Sequence, residues 1–175
     1  SRCANPDCRA PNIKMAGVGT QRVEMAVHKI FPRARIARMD SDTTGGKHSH
    51  ADILGRFRRG EIDILIGTQM IAKGLDFPHV TLVGVIQADL SLQMPDFRAA
   101  ERTFQLLTQV AGRAGRGDIP GEVFIQTYTP FHPAVQSARN AHFENFFDQE
   151  IEVRREMRYP PFTRLTTVLF RGLDE

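Results

Sequence analysis

The sequence is 175 residues long, 41% hydrophobic and 25% charged, which describes an ordinary globular protein with length for one well-buried core of roughly 100 to 150 residues and an attachment. Its 23 Lys and Arg against 20 Asp and Glu leave a formal net charge of +3 and a pI near 9.2, a balance that permits polyanion binding without requiring it. No apolar run approaches the roughly 18 to 20 residues of a membrane span, and the start, SRCANPDC, lacks the apolar stretch of a signal peptide, so the expected setting is cytoplasmic, with no membrane partner.

Cys3 and Cys8 come first, in a turn-rich segment with Asn5, Pro6 and Asp7. In a reducing compartment such a pair reads as half of a tetrahedral thiolate zinc site or as two plain thiols. Four residues separate them where the common zinc knuckle has two, and no second Cys pair or suitable His follows nearby. IKMAGVG then predicts a short strand ending in glycines. TQRVEMAVHKIF predicts a helix with Val23, Ala26, Val27 and Ile30 at helical spacing, stopped by Pro32. ARIARMD reads as a second strand, DSDTTGGKHSH as a polar loop, and ADILGRFRRG as a helix with Ile53, Leu54 and Phe57 on one face. IDILIGTQ and VTLVGVIQAD are almost wholly apolar strands, the second ended by Asp89; FRAAERTFQLLTQVAGRAG is a long helix and GEVFIQTY a fifth strand.

Strands this apolar are covered on both faces, and their alternation with helices implies right-handed parallel crossovers. The expectation is a three-layer α/β domain with a mostly parallel sheet over residues 12–135. Beyond it, PAVQSARNAHFENFFDQEIEVRREMRY predicts one continuous helix whose Phe143, Phe146, Phe147 and Ile151 form a packing stripe. Pro160 and Pro161 break it, and TRLTTVLFRGLDE begins a strand without a partner, the start of a further domain within 136–175.

In an open parallel sheet, ligands gather at the carboxyl ends of the strands. After the first strand, GVGTQRVE places Thr20 as an N-cap, and glycines ahead of a helix start expose N–H groups suited to a phosphate; a plain tight turn is the other reading. The G-x-x-x-x-G-K-[ST] pattern occurs nowhere. Thr68 and Gln69, at the end of IDILIG, offer a hydroxyl and an amide of the kind that positions a sugar-phosphate backbone without reading bases. Lys73, Gly74 and Asp76 follow, where a carboxylate beside a glycine suits a ribose hydroxyl or forms a turn. Asp96 is a candidate N-cap for the long helix, and Arg98 and Arg102 suit a solvated helical face. That helix ends in QVAGRAGRGD, with Gln109 and Arg113 on one face and Arg116 one turn on. Gly112 and Gly115 remove bulk beside the guanidiniums, whose planar forks pair with phosphate oxygens and never deprotonate. Two glycines in one turn disfavour a purely structural helix end, although a glycine C-cap with dipole-favoured arginines has the same composition.

QVAGRAGRG resembles the sixth conserved motif of superfamily 2 helicases, and ILIGTQMIAKGLDFP resembles the fifth. The longer run, from GVGTQRVE through RMDSDTT and PDFRAAERTFQLLTQVAGRAGRG to YPPF, resembles the PriA family of primosomal replication-restart DNA helicases over essentially the whole chain. The resemblance implies the second, RecA-like lobe of an ATP-dependent 3′-to-5′ motor. Residues 1–11 would end a zinc-binding insertion holding Zn2+ through Cys3 and Cys8, and 136–175 would be a linker helix and the beginning of the C-terminal domain. It implies Arg113, Arg116 and Gln109 at the γ-phosphate of ATP with Mg2+, Gly74, Asp76 and Gly112 about the nucleotide, and Thr20, Thr68, Gln69 and Lys73 along the DNA strand. Partners implied are single-stranded and forked DNA, single-strand-binding protein and primosome proteins. With no phosphate-binding lysine loop or Asp-Glu box of its own, this chain alone is expected not to hydrolyse ATP. Another superfamily 2 translocase, or a basic binding module without chemistry, are the alternative readings.

Overall fold

A computed structural model describes residues 19–40, 47–72, 77, 79–112, 114–115 and 120–168. The expected strand IKMAGVG apart from its last residue, Gly19, both cysteines, Lys73, Gly74, Asp76, Arg113 and Arg116 lie outside the described residues. The chain divides into two compact units, Ser1–Leu75 and Asp76–Glu175.

In the first unit, helix α1 spans Thr20–Ile30. Gly19, not Thr20, stands at its N-cap, and Thr20 is the first helical residue. The helix closes with the Phe31 N–H on the Val27 carbonyl at 2.8 Å, just ahead of Pro32. Proline cannot carry the ladder further. Strand β1 is Ile36–Met39, helix α2 is Lys47–Arg58 and strand β2 is Ile64–Gly67, followed by a 3-10 turn at Gln69–Ala72. β1 and β2 pair in parallel from Ile36 opposite Ile64 to Met39 opposite Gly67. Met39, Ile62 and Ile66 are buried. Gly67 is a packing requirement, because a Cβ there would stand 2.6 Å from the Met39 carbonyl oxygen and 2.8 Å from Ile71 Cγ2.

In the second unit, strands β3 (Leu82–Val85) and β4 (Glu122–Ile125) also pair in parallel, Leu82 opposite Glu122 through Val85 opposite Ile125. Helix α3 is a single turn, Asp89–Leu92, so Asp89 opens a helix instead of ending the strand. Helix α4, Ala99–Ala111, buries Ala99, Thr103, Phe104 and Leu107, residues spaced to share one face. Its buried Thr103 hydroxyl donates to the Ala99 carbonyl at 2.8 Å, which satisfies it inside the core. Asp96 is not the N-cap: Arg98 holds that position, and Asp96 Oδ1 accepts the Arg98 N–H from two residues upstream at 2.9 Å. The expected long tail helix is two helices, α5 (Pro133–Arg139) and α6 (Phe143–Glu156), separated at Asn140–His142 with Ala141 at φ +53°. The expected boundary at 135/136 falls inside α5.

The core of this unit joins Ala88, Phe104, Leu107, Ala134, Val135, Ala138 and Phe146. Phe104 and Phe146 stack with centroids 4.4 Å apart at 5°. Of the predicted aromatic stripe, Phe146 is buried, while Phe143 and Phe147 stay half exposed. Arg154 ties α6 to α4, its guanidinium 2.8 Å from Glu101 and 2.9 Å from Glu150 and 5.3 Å from the centre of the Phe97 ring. Tyr159 stacks on Phe97 at 5.6 Å. Residues 163–168, read from sequence as a strand, take no strand pairing among the described residues. Four strands in two parallel pairs are therefore what the described residues contain, the four of the expected five-strand series that follow IKMAGVG.

Candidate functional site

The first unit gathers polar groups at the carboxyl edge of β1–β2. Asp40 follows β1 directly and is 5% exposed. It accepts the Thr20 hydroxyl at 2.5 Å and a hydrogen bond from Arg38 Nη1, while Arg38 Nε lies 3.0 Å from Glu24. Thr20 and Glu24 are one turn apart on α1, and Arg38 and Asp40 point to one side of the strand because a single residue, Met39, lies between them. Two neighbouring turns of α1 are thus fastened to the end of β1. The Thr20 hydroxyl proton is therefore committed to Asp40. The Arg22 and Val23 N–H groups both bond the Gly19 carbonyl, at 2.9 and 3.3 Å. Thr68 and Gln69 follow β2 at the same edge and are exposed; since Met39 pairs with Gly67, Asp40 and Thr68 leave the ribbon side by side. Sequence reasoning missed Arg38 and Asp40. Their signal was an acid at a strand end two residues after an arginine, with a threonine and a glutamate four apart on the preceding helix.

In the second unit, the helix carrying the two-arginine motif ends earlier than predicted, at Ala111, with the Gly112 N–H on the Thr108 and Val110 carbonyls. Gln109 is half-buried in the last turn. A Cβ on Gly112 would meet nothing closer than the Thr108 and Gln109 carbonyls at 3.6 and 3.7 Å, so packing does not demand glycine there. Gly115 is different. Its φ of +73° favours glycine, and a Cβ would approach the Gly121 nitrogen to 2.6 Å, so the backbone passes itself at two glycines. The Gly115 N–H reaches the Val80 carbonyl at 3.2 Å, just ahead of β3. Gly115 thus lies by the amino ends of β3 and β4. The reason is the crossover: a helix returning between parallel strands ends where the next strand begins. The contact also brings Gly115 against the residue pair just ahead of β3.

At the carboxyl end of β3–β4, Asp89 is 5% exposed and anchors the chain leaving β4. It accepts the Thr127 hydroxyl at 2.8 Å, the Tyr128 N–H at 2.9 Å, and the Thr129 N–H and hydroxyl at 3.1 and 2.6 Å. Burial opposes its ionisation, but the bonds from Thr129, Tyr128 and Thr127 outweigh burial and hold the carboxyl well below the usual carboxylate range. Asp89 is a structural anchor. Near it, His132 caps α5 by accepting the Ala134 N–H at Nδ1, and burial lowers its pKa against the opposing pull of Glu150 and Asp89. No group of three or more His, Cys, Asp or Glu able to hold a metal occurs among the described residues. No helix among them is long and apolar enough to cross a membrane.

Residues 14–118 match the helicase conserved C-terminal domain. The chain belongs to that family. The parallel strand pairs with flanking helices are the family's RecA-like α/β fold. The chain is also similar to the replication restart protein PriA of Bacillus subtilis, 55% identical over 163 residues, which is 93% of this chain and 20% of the relative. The protein of the same name from Synechocystis is 49% identical over 170 residues, 97% of this chain and 20% of the relative, and that of Chlamydia pneumoniae 48% over 160, 91% and 21%. The chain spans about a fifth of the length of these curated relatives.

Proposed function

We propose that this chain is the second motor lobe of an ATP-dependent DNA helicase that restarts stalled replication forks, moving 3′ to 5′ in the cytoplasm. The observation that supports the reading is the 3.2 Å bond from the Gly115 N–H to the Val80 carbonyl, between a glycine of the motif and the chain just ahead of β3. Two motifs 40 residues apart in sequence then serve one nucleotide. In this reading Arg113 and Arg116 stabilise the charge that spreads over the γ-phosphoryl group during transfer, with Gln109 beside them, Gly112 leaving room, and Gly74 and Asp76 at the ribose. Arginines in that role raise hydrolysis about 10³- to 10⁵-fold. The phosphate-binding lysine and the Mg2+ ligands come from another part of the polypeptide. Thr68, Gln69 and Lys73 hold the DNA backbone at the carboxyl edge of β1–β2, with Thr20 supporting them through the helix start. Contacts of this kind are indifferent to base sequence and sensitive to salt. Cys3 and Cys8 supply two ligands of a structural Zn2+, and single-strand-binding protein and primosome proteins are the partners.

The test compares ATP hydrolysis by the 175-residue chain and by the complete polypeptide, each with and without forked DNA. The chain alone is expected to show no turnover and the complete polypeptide DNA-dependent turnover. Hydrolysis by the chain alone, or DNA-independent hydrolysis by the complete polypeptide, contradicts the proposal.

A further inference from the structure

The two units carry opposite charge. Residues 1–75 hold 13 Lys and Arg against 7 Asp and Glu, whereas residues 76–175 hold 10 against 13. Much of the first unit's surplus collects at one place. Helices α1 and α2 both run back from the carboxyl edge and end at the amino edge of β1–β2, so the last turn of α1 (Lys29), the loop into β1 (Arg33, Arg35), the last turn of α2 (Arg56, Arg58) and the loop into β2 (Arg59) lie along that edge. Two carboxylates sit among these six cations. Asp63 takes a two-pronged bond from Arg35, with Nε at 2.9 Å and Nη2 at 2.5 Å, together with the Arg35 N–H at 2.8 Å. Glu61 is shared by Arg59 at 2.6 Å and Arg56 at 3.5 Å. Asp52 also acts on Arg59. Arg33 and Arg58 are exposed and have no carboxylate partner among the described residues.

The plain explanation is the helix dipole, which favours a cation in the last turn of each helix. It accounts for Lys29 and for Arg56 and Arg58 in the last turn of α2. It does not account for Arg33 and Arg59, which lie beyond the helix ends. Nor does it explain why six cations meet three acids in a unit already rich in positive charge. The edge also lies a full strand length, roughly 13 Å, from the carboxyl edge assigned above to the single strand, so one extended strand seated at that edge does not reach it. We propose that the amino edge of β1–β2 is a second nucleic-acid surface, holding the backbone of the duplex arm of a forked substrate. The inference rests on the helicase reading for its substrate, but Arg33 and Arg58 belong to none of the residues which that reading uses.

The experiment measures the affinity of the complete polypeptide for a fork and for a single strand of the same sequence across a salt series. It compares the native protein, the Arg33→Gln/Arg58→Gln variant and the charge-keeping Arg33→Lys/Arg58→Lys variant. Each lost duplex phosphate contact flattens the plot of log affinity against log salt by about 0.9. The glutamine variant is expected to flatten the fork plot by about two, with the single-strand plot unchanged, and the lysine variant to keep the native slope. An unchanged fork slope overturns the proposal and leaves the edge to an acidic protein partner. Equal flattening on both substrates also overturns it, by making the edge part of the single-strand track. The slope can be read whether or not the protein turns over ATP, so failure of the helicase reading stays separate.

Discussion

Replacing Asp89 by alanine leaves four donors without their acceptor: the Tyr128 and Thr129 N–H groups and the Thr127 and Thr129 hydroxyls. A hydrogen bond to a charged group contributes about 1.5 to 3 kcal/mol, but the four are not additive, and the hydroxyls can turn to water. The carboxylate's own burial cost also disappears with it. The expected net loss is about 3 kcal/mol, roughly half of which Asp89→Asn recovers by keeping one acceptor oxygen. The chain has two tyrosines and no tryptophan. Both tyrosines, Tyr128 and Tyr159, are in the second unit, so tyrosine fluorescence during urea denaturation follows that unit alone. The pH dependence supplies a second arm. The folded carboxyl titrates below its unfolded value of about 3.9. The unfolded chain therefore binds the proton first as pH falls, and the stabilisation present above about pH 4 to 5 is lost below it. The alanine variant lacks this term, so its stability changes less between pH 5 and pH 3. A loss under about 1 kcal/mol with an unaltered acid profile refutes the account of Asp89 as the anchor of the β4 exit.

Phe104→Ala empties the stack on Phe146, two rings that are each about 5% exposed, and is expected to cost about 3 to 5 kcal/mol in the same fluorescence-monitored denaturation. Gly67→Ala drives a methyl group into the Met39 carbonyl. It is expected to cost the first unit about 1 to 3 kcal/mol, seen as faster hydrogen exchange of the amides of β1 and β2 while those of α4 keep their protection.

The sequence made the alternation of parallel strands and helices readable because apolar runs and helical spacing carry it directly. β1, β2, β3, α4 and β4 all fall within their predicted segments. The break between α5 and α6 was not readable: ARNAHF has no glycine or proline, and the chain turns because Ala141 adopts a left-handed conformation, which closes α5 with the His142 N–H on the Ser137 carbonyl. Asp89 could be seen as an acid after a strand, but its burial depends on donors about 40 residues away. Gly115 looked like one of two glycines making room for a ligand. Its left-handed φ and its closeness to Gly121 arise from the chain's return into β4, which local spacing does not encode. Its place at the amino end of the strands followed from the crossover.

The central claim is that QVAGRAGRG completes a nucleotide site. It is tested most directly by DNA-stimulated ATP hydrolysis in the complete polypeptide with Arg116→Ala, with DNA affinity measured alongside. The account predicts a fall of about 10³-fold or more in turnover, with DNA affinity within about twofold of the native protein, since the proposal assigns that arginine to the nucleotide and not to DNA. Turnover at the native rate, or an equal collapse of DNA binding, contradicts it.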